Sequence, residues 1–552
     1  MGSKPRSGAM TNTARRRCDH ETMTTTQVSV EDRARWRAFM VLCLGSFMIV
    51  LDTTIVNVAL PSIRTDLGFS EGSLAWVVNA YMLFFGGFLL LGGRLADLYG
   101  HRRLFAIGIA LFTVSSLMAG LSSAQAILIA ARALQGLGGA VVSAAGLSLM
   151  MSLFTKPADV AKAMGIVGFI SAGGGSVGVL LGGILTSVFS WHAIFMVNIP
   201  VGIAVYILAL RVVPSARPAA SGARVDIAGA VTVTASLMLA VYAIVNGNEA
   251  GWTSAQTVGL TAAAIAIFAV FVAIESRVAD PLMPLGLFRR RNLATANLMG
   301  VLWAAAMFAW FFLSALYLQL VLKYEPLQVG LAFLPGNLIM AVFSVGISAK
   351  LVMRYGLQAP LAAGLGLAGL GLALLVRAPI DGNYLVDVLP SMVLLGLGAG
   401  IALNPMLIVA MSDVEPERSG LASGLVNTSF MMGGALGLAI LASLAAARTN
   451  AAFESGMPQI AALADGYHAA FAVGAGFATL AAVLAVRVLR VGAAMTVERD
   501  RERAGSAEGV RQRLRLNLSL HRTVRASVPT CPYLQHATYG THTNDRSAER
   551  EN

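Results

Sequence analysis

The chain has 552 residues, of which 57% are hydrophobic and 12% charged. A soluble globular domain carries about 25% charged residues, so these proportions exclude one and define a polytopic membrane protein. The formal charge of +12 does not mark a nucleic-acid binder, because twelve Lys/Arg lie in the last 66 residues and eight in the first 37.

Residues 1–37 form a basic, polar, cytoplasmic tail, and the apolar stretch after it is long enough to span a bilayer rather than be cleaved as a signal. A spanning helix needs about 20 apolar residues. Fourteen stretches qualify, at 38–60, 74–93, 104–123, 126–150, 164–187, 191–213, 226–246, 256–275, 293–320, 328–352, 359–378, 386–411, 421–446 and 467–490. Connections on one side carry fifteen Lys/Arg, from Arg94 to Arg418, against four on the other, Arg64, Lys323, Arg377 and Arg448. The positive-inside rule then puts both termini in the cytoplasm, and an even number of crossings agrees. The expected class is an all-α, multi-pass protein of the cytoplasmic membrane. Its three cysteines, Cys18, Cys43 and Cys531, are too scattered for a disulfide framework or a metal cluster.

Span 1 reads FMVLCLGSFMIVLDTTIVNVAL and holds Asp52; span 4 reads AILIAARALQGLGGAVVSAAGLSLM and holds Arg132. A charge at bilayer depth costs several kcal/mol and as a rule faces a partner or a water-filled cavity. With span 1 running outward and span 4 inward, the helical rise puts both residues about 10 Å from the outer face. The expectation is a carboxylate–guanidinium pair; a purely structural Asp52 would instead lean on Thr53 and Asn57. Burial and a neighbouring cation act in opposite directions on a carboxyl's hold on its proton, so a modest rearrangement can load or release one. Asp52 and Arg132 are therefore the candidate proton-coupling residues.

The connection between spans 2 and 3, GRLADLYGHR (Gly93–Arg102), has a worn copy in AKLVMRYGLQ (Ala349–Gln358). GLGGA at Gly136–Ala140 is echoed by GLGAG at Gly396–Gly400. The two echoes relate spans 2–4 to spans 10–12. They predict two pseudo-symmetric six-helix bundles, 38–213 and 292–492, with spans 7 and 8 inserted within a 214–291 linker. The GLGGA glycines lie inside an apolar helix rather than in a strand–turn–helix unit, so neither a nucleotide loop nor a cofactor is expected.

Span 9 is crowded with Trp303, Phe308, Trp310, Phe311, Phe312 and Tyr317, with Gln319 beyond. About half of these aromatics should face lipid and the others an apolar cavity with a few polar groups. The candidate lining residues are Asn57, Asn79, Tyr81, Gln135, Trp310, Tyr317, Gln319, Asn337, Asn404 and Asn427. No acid lies deep in spans 9–14, and Asp226, Glu275 and Asp387 fall near helix ends, which favours neutral, weakly acidic or monocationic substrates. Residues 493–552 read as a disordered basic tail, or as a tail whose Glu498–Arg515 segment lies as a short helix on anionic lipid.

These motifs resemble the Major Facilitator Superfamily in its fourteen-helix drug:proton antiporter branch, across most of the apolar region. The family pattern G-x-L-a-D-x-x-G-x-R-R is met by Gly93, Leu95, Ala96, Asp97, Gly100, Arg102 and Arg103. L-D-x-T-I-V-N-V-A-L-P matches Leu51–Pro61, and R-x-x-Q-G-x-G matches Arg132, Gln135, Gly136 and Gly138. WVVNAYML (Trp76–Leu83), WHAIFMVNIPVG (Trp191–Gly202), LYLQLVLKYEPLQVGLAFLP (Leu316–Pro335) and SGLASGLVNTSFMMGGALG (Ser419–Gly437) look like the same branch. The helix-5 antiporter pattern G-x-x-x-G-P-x-x-G-G is met by Gly174, Gly178, Gly182 and Gly183, with Val179 where the family has proline. Proline removes a backbone hydrogen bond and kinks a helix; valine leaves the ladder intact.

The resemblance implies export of a lipophilic drug or antibiotic in exchange for protons, by a protein expected to be monomeric. It assigns the helix-1 acid and the helix-4 arginine to coupling. It makes Asp97 a gating latch that pairs across to a neighbouring helix end, or an anion held at a helix N-terminus. A proton-coupled uptake symporter, kept open by Val179, and a transporter-like scaffold or sensor are the alternatives. An enzyme is not expected, since no nucleophile–base pair or metal cluster lies at membrane depth.

Overall fold

The computed structural model describes residues 12–154, 157–215, 226–278, 281–412, 414 and 419–489. Among these residues every regular element is helical, and fourteen helices are long and apolar enough to cross a membrane. They are α1 (Asn12–Leu67, apolar over Asp32–Leu67), α2 (Glu71–Tyr99), α3 (His101–Gly120), α4 (Gln125–Leu153) and α5 (Gly165–Val188). There follow α6 (Ala193–Val212), α7 (Ile227–Asn248), α8 (Ala255–Glu275), α9 (Arg291–Val321) and α10 (Pro326–Tyr355). The last four are α11 (Gln358–Leu375), α12 (Tyr384–Met411), α13 (Ala422–Glu454) and α14 (Gln459–Arg487). The expected C-terminal tail, 493–552, lies outside the described residues.

Several helices outrun the apolar stretches that announce them. α1 continues through Pro61 to Leu67, and Thr65 Oγ1 donates to Pro61 O (3.0 Å) in the added turns. α2 runs to Tyr99 and α3 starts at His101, so the Gly93–Arg102 segment is no loop but two helix ends hinged on Gly100. Gly100 has φ +92° and its counterpart in the repeat, Gly356, has φ +78°. Only glycine takes that conformation without strain.

The sequence echoes correspond to one packing unit used twice. A Cβ on Gly136 would lie 2.3 Å from Tyr81 O, and one on Gly396 would lie 2.2 Å from Gly336 O. A Cβ on Gly138 would lie 2.9 Å from Gly108 O, and one on Gly398 would lie 2.5 Å from Gly364 O. So α4 closes on α2 and α3 as α12 closes on α10 and α11. Lipid offers no hydrophobic force to join helices, and bare backbones gain contact by close approach instead. The copies differ in polarity. Arg132 and Gln135 stand four and one residues before Gly136; Met392 and Leu395 stand four and one before Gly396. All four are buried.

The inserted pair bridges the two units. Thr234 of α7 fits against Gly87 of α2, and Asn248 Nδ2 donates to Ser443 O (2.7 Å) and Ser443 Oγ (2.8 Å) of α13. α8 turns Val258, Ile265, Phe268 and Val270 outward, an apolar surface of the kind that marks a lipid boundary.

α9 corrects an expectation. Trp303, Trp310, Phe311, Phe312 and Tyr317 are all buried, and of the six aromatics only Phe308 keeps partial exposure. They do not divide between lipid and cavity, because α9 is flanked by α12, α13 and α14 and its aromatics fill the interior. Trp310 and Phe311 sit 4.4 Å apart, and Phe333 of α10 stacks on Phe311 at 5.5 Å.

Candidate functional site

Five helices converge on Asp52. Arg132 Nη1 of α4 donates to Asp52 Oδ2 (2.5 Å), while Gln135 Nε2 (3.1 Å) and Asn198 Nδ2 of α6 (3.0 Å) donate to Oδ1. Arg132 is held in turn by Nε donating to Val77 O of α2 (2.9 Å) and Nη1 to Gln135 Oε1 (2.9 Å). Gln135 Nε2 also meets Ser116 Oγ of α3 at 2.7 Å. The guanidinium lies 4.5 Å from the Tyr81 ring centroid and 5.8 Å from that of Phe195. None of Asp52, Ser116, Arg132, Gln135 and Asn198 is more than 1% exposed.

The chemistry follows from the donor count. Every partner of Asp52 is an N–H donor. A carboxylate accepts from all three at once, and the adjacent guanidinium balances its charge inside a low-dielectric interior. A protonated carboxyl would bring an O–H donor up against these three N–H groups.

The geometry has the expected Asp52–Arg132 contact and not the alternative one. Thr53 Oγ1 bonds Val50 O (2.7 Å) and Asn57 Nδ2 reaches Thr53 O and Thr54 O (3.3 Å each), so neither supports Asp52. Asp52 is enclosed between α1, α2, α3, α4 and α6 and faces its partner Arg132. The charged groups themselves lie level, as expected, with Arg132 Nη1 in contact with Asp52 Oδ2. Gln125 Nε2 bonds Leu67 O and Gly68 O (3.0 Å each), aligning those helix ends. Asn198 and Ser116 went unnoticed in the sequence. An asparagine inside an apolar span was the available signal for Asn198; Ser116 offered none.

The remaining candidate cavity residues fall into four sets. Tyr317 donates through its hydroxyl to Pro379 O (2.8 Å), Gln319 Nε2 to Val58 O (2.8 Å) and Asn404 Nδ2 to Ser344 O (2.6 Å), so these tie helices together. Asn427 is exposed and bonds only Ser423 O in its own helix (3.2 Å). Asn79, Tyr81, Trp310 and Asn337 are buried with unpartnered polar atoms. Gln135 belongs to the Asp52 cluster.

The gating motif pairs locally. Asp97 Oδ1 meets His101 Nε2 at 3.0 Å across the Gly100 hinge, at the first residue of α3. Asp97 itself lies in the last turn of α2, and its carboxylate reaches the N-terminal residue of α3. The crossing contact belongs to Arg102, whose Nη2 donates to Leu210 O of α6, while Arg103 is exposed.

The helix-5 motif is a two-sided packing surface. Gly174, Gly178 and Gly182 close on Val50, Thr54 and Ile55 of α1, and Gly183 closes on Pro326 and Leu327 of α10. Val179 is buried, and Gly330 of α10 approaches its carbonyl. A Cβ on Gly178 would stand 2.0 Å from Thr54 Oγ1 and 2.9 Å from Leu51 O. Gly178→Val should therefore lower thermal stability by about 1–3 kcal/mol, the usual range for overpacking. Gly175→Ala, whose new Cβ would find nothing closer than Thr54 Cγ2 at 3.9 Å, should leave it unchanged. Melting of the detergent-purified proteins reads both.

Fourteen membrane-capable helices with one packing unit used twice define a polytopic transporter of the two-bundle kind. The chain belongs to the Major Facilitator Superfamily, whose family model matches residues 42–438, and it is a transporter rather than an enzyme. It is 38% identical over 460 residues to the puromycin resistance protein pur8 of Streptomyces alboniger, covering 82% of this chain and 91% of the relative. It is 39% identical to the cephamycin export protein CmcT of Amycolatopsis lactamdurans, covering 81% and 91%. The lincomycin resistance protein of Streptomyces lincolnensis is 34% identical, covering 86% and 95%. Among solved structures, the nucleoside transporter NupG superposes with a TM-score of 0.58 at 13% identity, covering 82% of this chain and 100% of that one, which shows the shared fold.

Proposed function

We propose that this chain exports a lipophilic, antibiotic-like molecule from the cytoplasm in exchange for protons. Bundles 38–213 and 292–492 would rock about the inserted α7–α8 pair, within a monomer whose termini are both cytoplasmic. The carrying observation is that buried Asp52 accepts from N–H donors on α4 and α6 and pairs with Arg132, so gaining a proton would weaken that pairing and let α1 rearrange against α4 and α6. Relatives over most of the chain length are proteins of antibiotic resistance and export. Asn427, Asn404 and Phe308, which keep exposure, are the groups left to meet substrate.

In this reading the Asp97, Arg102 and Arg103 region is a gate between α2, α3 and α6. Asp97→Ala should lower turnover about tenfold, equivalent to roughly 1.4 kcal/mol on the gating step, and leave substrate affinity nearly unchanged. Initial rates over a range of drug concentrations separate the two effects.

The test uses everted membrane vesicles acidified inside, with puromycin, a cephamycin and lincomycin as probes. Addition of a transported drug should collapse the pH gradient and load the drug into the lumen. Failure of all three to move protons sinks the exporter reading. Drug leaving the lumen together with protons would establish symport instead.

A further inference from the structure

Two further acids are deeply buried away from the Asp52 cluster. Asp226 (6% exposed) caps the start of α7, and Glu275 (3% exposed) ends α8. Asp226 Oδ1 accepts from Gly229 N (2.7 Å), and Glu275 Oε2 accepts from Met283 N (3.0 Å). Each acid has one oxygen left over, Oδ2 and Oε1, with no hydrogen-bond partner. Both point into the same gap beside Gly229, where a methyl group would lie 2.5 Å from Asp226 Oδ2 and 2.7 Å from Glu275 Oε1.

Among the described residues no ion pair supplies either acid with a counter-charge, and Arg290 of the α8–α9 connector has an interaction of its own. α7 has no charged residue along Ile227–Asn248, and α8 has none before Glu275. On α2 the charged residues of this stretch are Arg94 and Asp97; on α13 none precedes Arg448. Arg277 and Arg289 of the α8–α9 connector are exposed. No ion pair between described residues involves Asp226 or Glu275; Asp97 pairs with His101, and Arg448 with Asp465. Two carboxylates facing one another in an apolar site cannot both ionise at little cost.

We propose that Asp226 and Glu275 bind one proton between them, as a carboxyl–carboxylate hydrogen bond joining Oδ2 and Oε1, and so form a second proton site at the base of the inserted pair. What the site controls follows from Met283. Glu275 pins that residue's backbone, and the connector beside it reaches two other helices. Leu282 packs with Leu91 of α2 and Ala230 of α7; Met283 packs with Val233 of α7, Phe271 of α8 and Met432 of α13. Loss of the proton drives the two acids apart. Asp226 is fixed by its cap, so Glu275 and the connector are displaced, loosening the insert from α2 and α13.

Infrared difference spectroscopy on the lipid-reconstituted full chain tests this. The wild type should show a protonated-carboxyl C=O band, shifted in D2O and lost as the pH is raised. The band should be missing from both Glu275→Gln and Asp226→Asn. The amide introduced by Glu275→Gln would still accept from Met283 N and donate to Asp226, so this variant mimics the occupied site and should fold. Limited trypsin digestion supplies the second reading: cleavage at Arg277 and Arg289 should quicken several-fold in the wild type once the band is lost, and stay slow in Glu275→Gln. A wild-type spectrum without the band, or one unchanged in both variants, overturns the site. Cleavage that ignores loss of the band overturns its coupling to the connector. None of these readings depends on drug export, so failure here and failure of the exporter proposal are separable.

Discussion

Asp52→Asn should abolish proton-driven export and destabilise the fold together. The amide oxygen can still accept from Gln135 Nε2 and Asn198 Nδ2, but its NH2 group then faces Arg132 Nη1, where Oδ2 now stands at 2.5 Å. A guanidinium cannot shed its proton, so a buried cation is left uncompensated. Removing one partner of a buried pair costs about 3–5 kcal/mol, which a melting curve in detergent registers easily. In everted vesicles the drug-induced proton flux should fall to background while equilibrium drug binding stays measurable. Normal pH-driven export by this variant would remove Asp52 from the mechanism.

Arg132→Gln should also lose exchange, with a stability loss of a different kind. Here the carboxylate is the partner left behind, still accepting from the Gln135 and Asn198 amides. The double variant Asp52→Asn with Arg132→Gln replaces both charges and should be more stable than Asp52→Asn alone. The coupling should reach about 1–3 kcal/mol, as expected for groups in direct contact. Additive losses would mean that the two residues do not act as a pair.

How much of this was readable beforehand varies with the residue. Asp52 and Arg132 were legible because charge is rare in an apolar helix and its burial demands a partner. Their contact could be anticipated; the fixing of Asp52 by Asn198 could not, since α1 and α6 lie far apart in sequence and only packing brings them together. The Gly93–Arg103 motif was legible as a pattern, but the identity of Asp97's partner was not. Whether Asp97 meets His101 or a distant helix end depends on the hinge at Gly100. The aromatics of α9 misled because hydropathy treats lipid and protein interior alike. Asp226 and Glu275 were passed over as residues at helix ends, and only the fold turns both into one buried gap.

Sequence alone determined that the chain crosses a membrane, how many times it does so, and that one packing unit recurs. Those properties depend on the transfer of contiguous apolar segments and on small residues at fixed spacing along one helix. Tertiary structure alone decided which polar groups find partners, which faces meet lipid, and which acids confront each other. Such outcomes depend on distances between segments remote in the chain, and hydrogen bonds and buried charges change sign in their effect over a few ångströms.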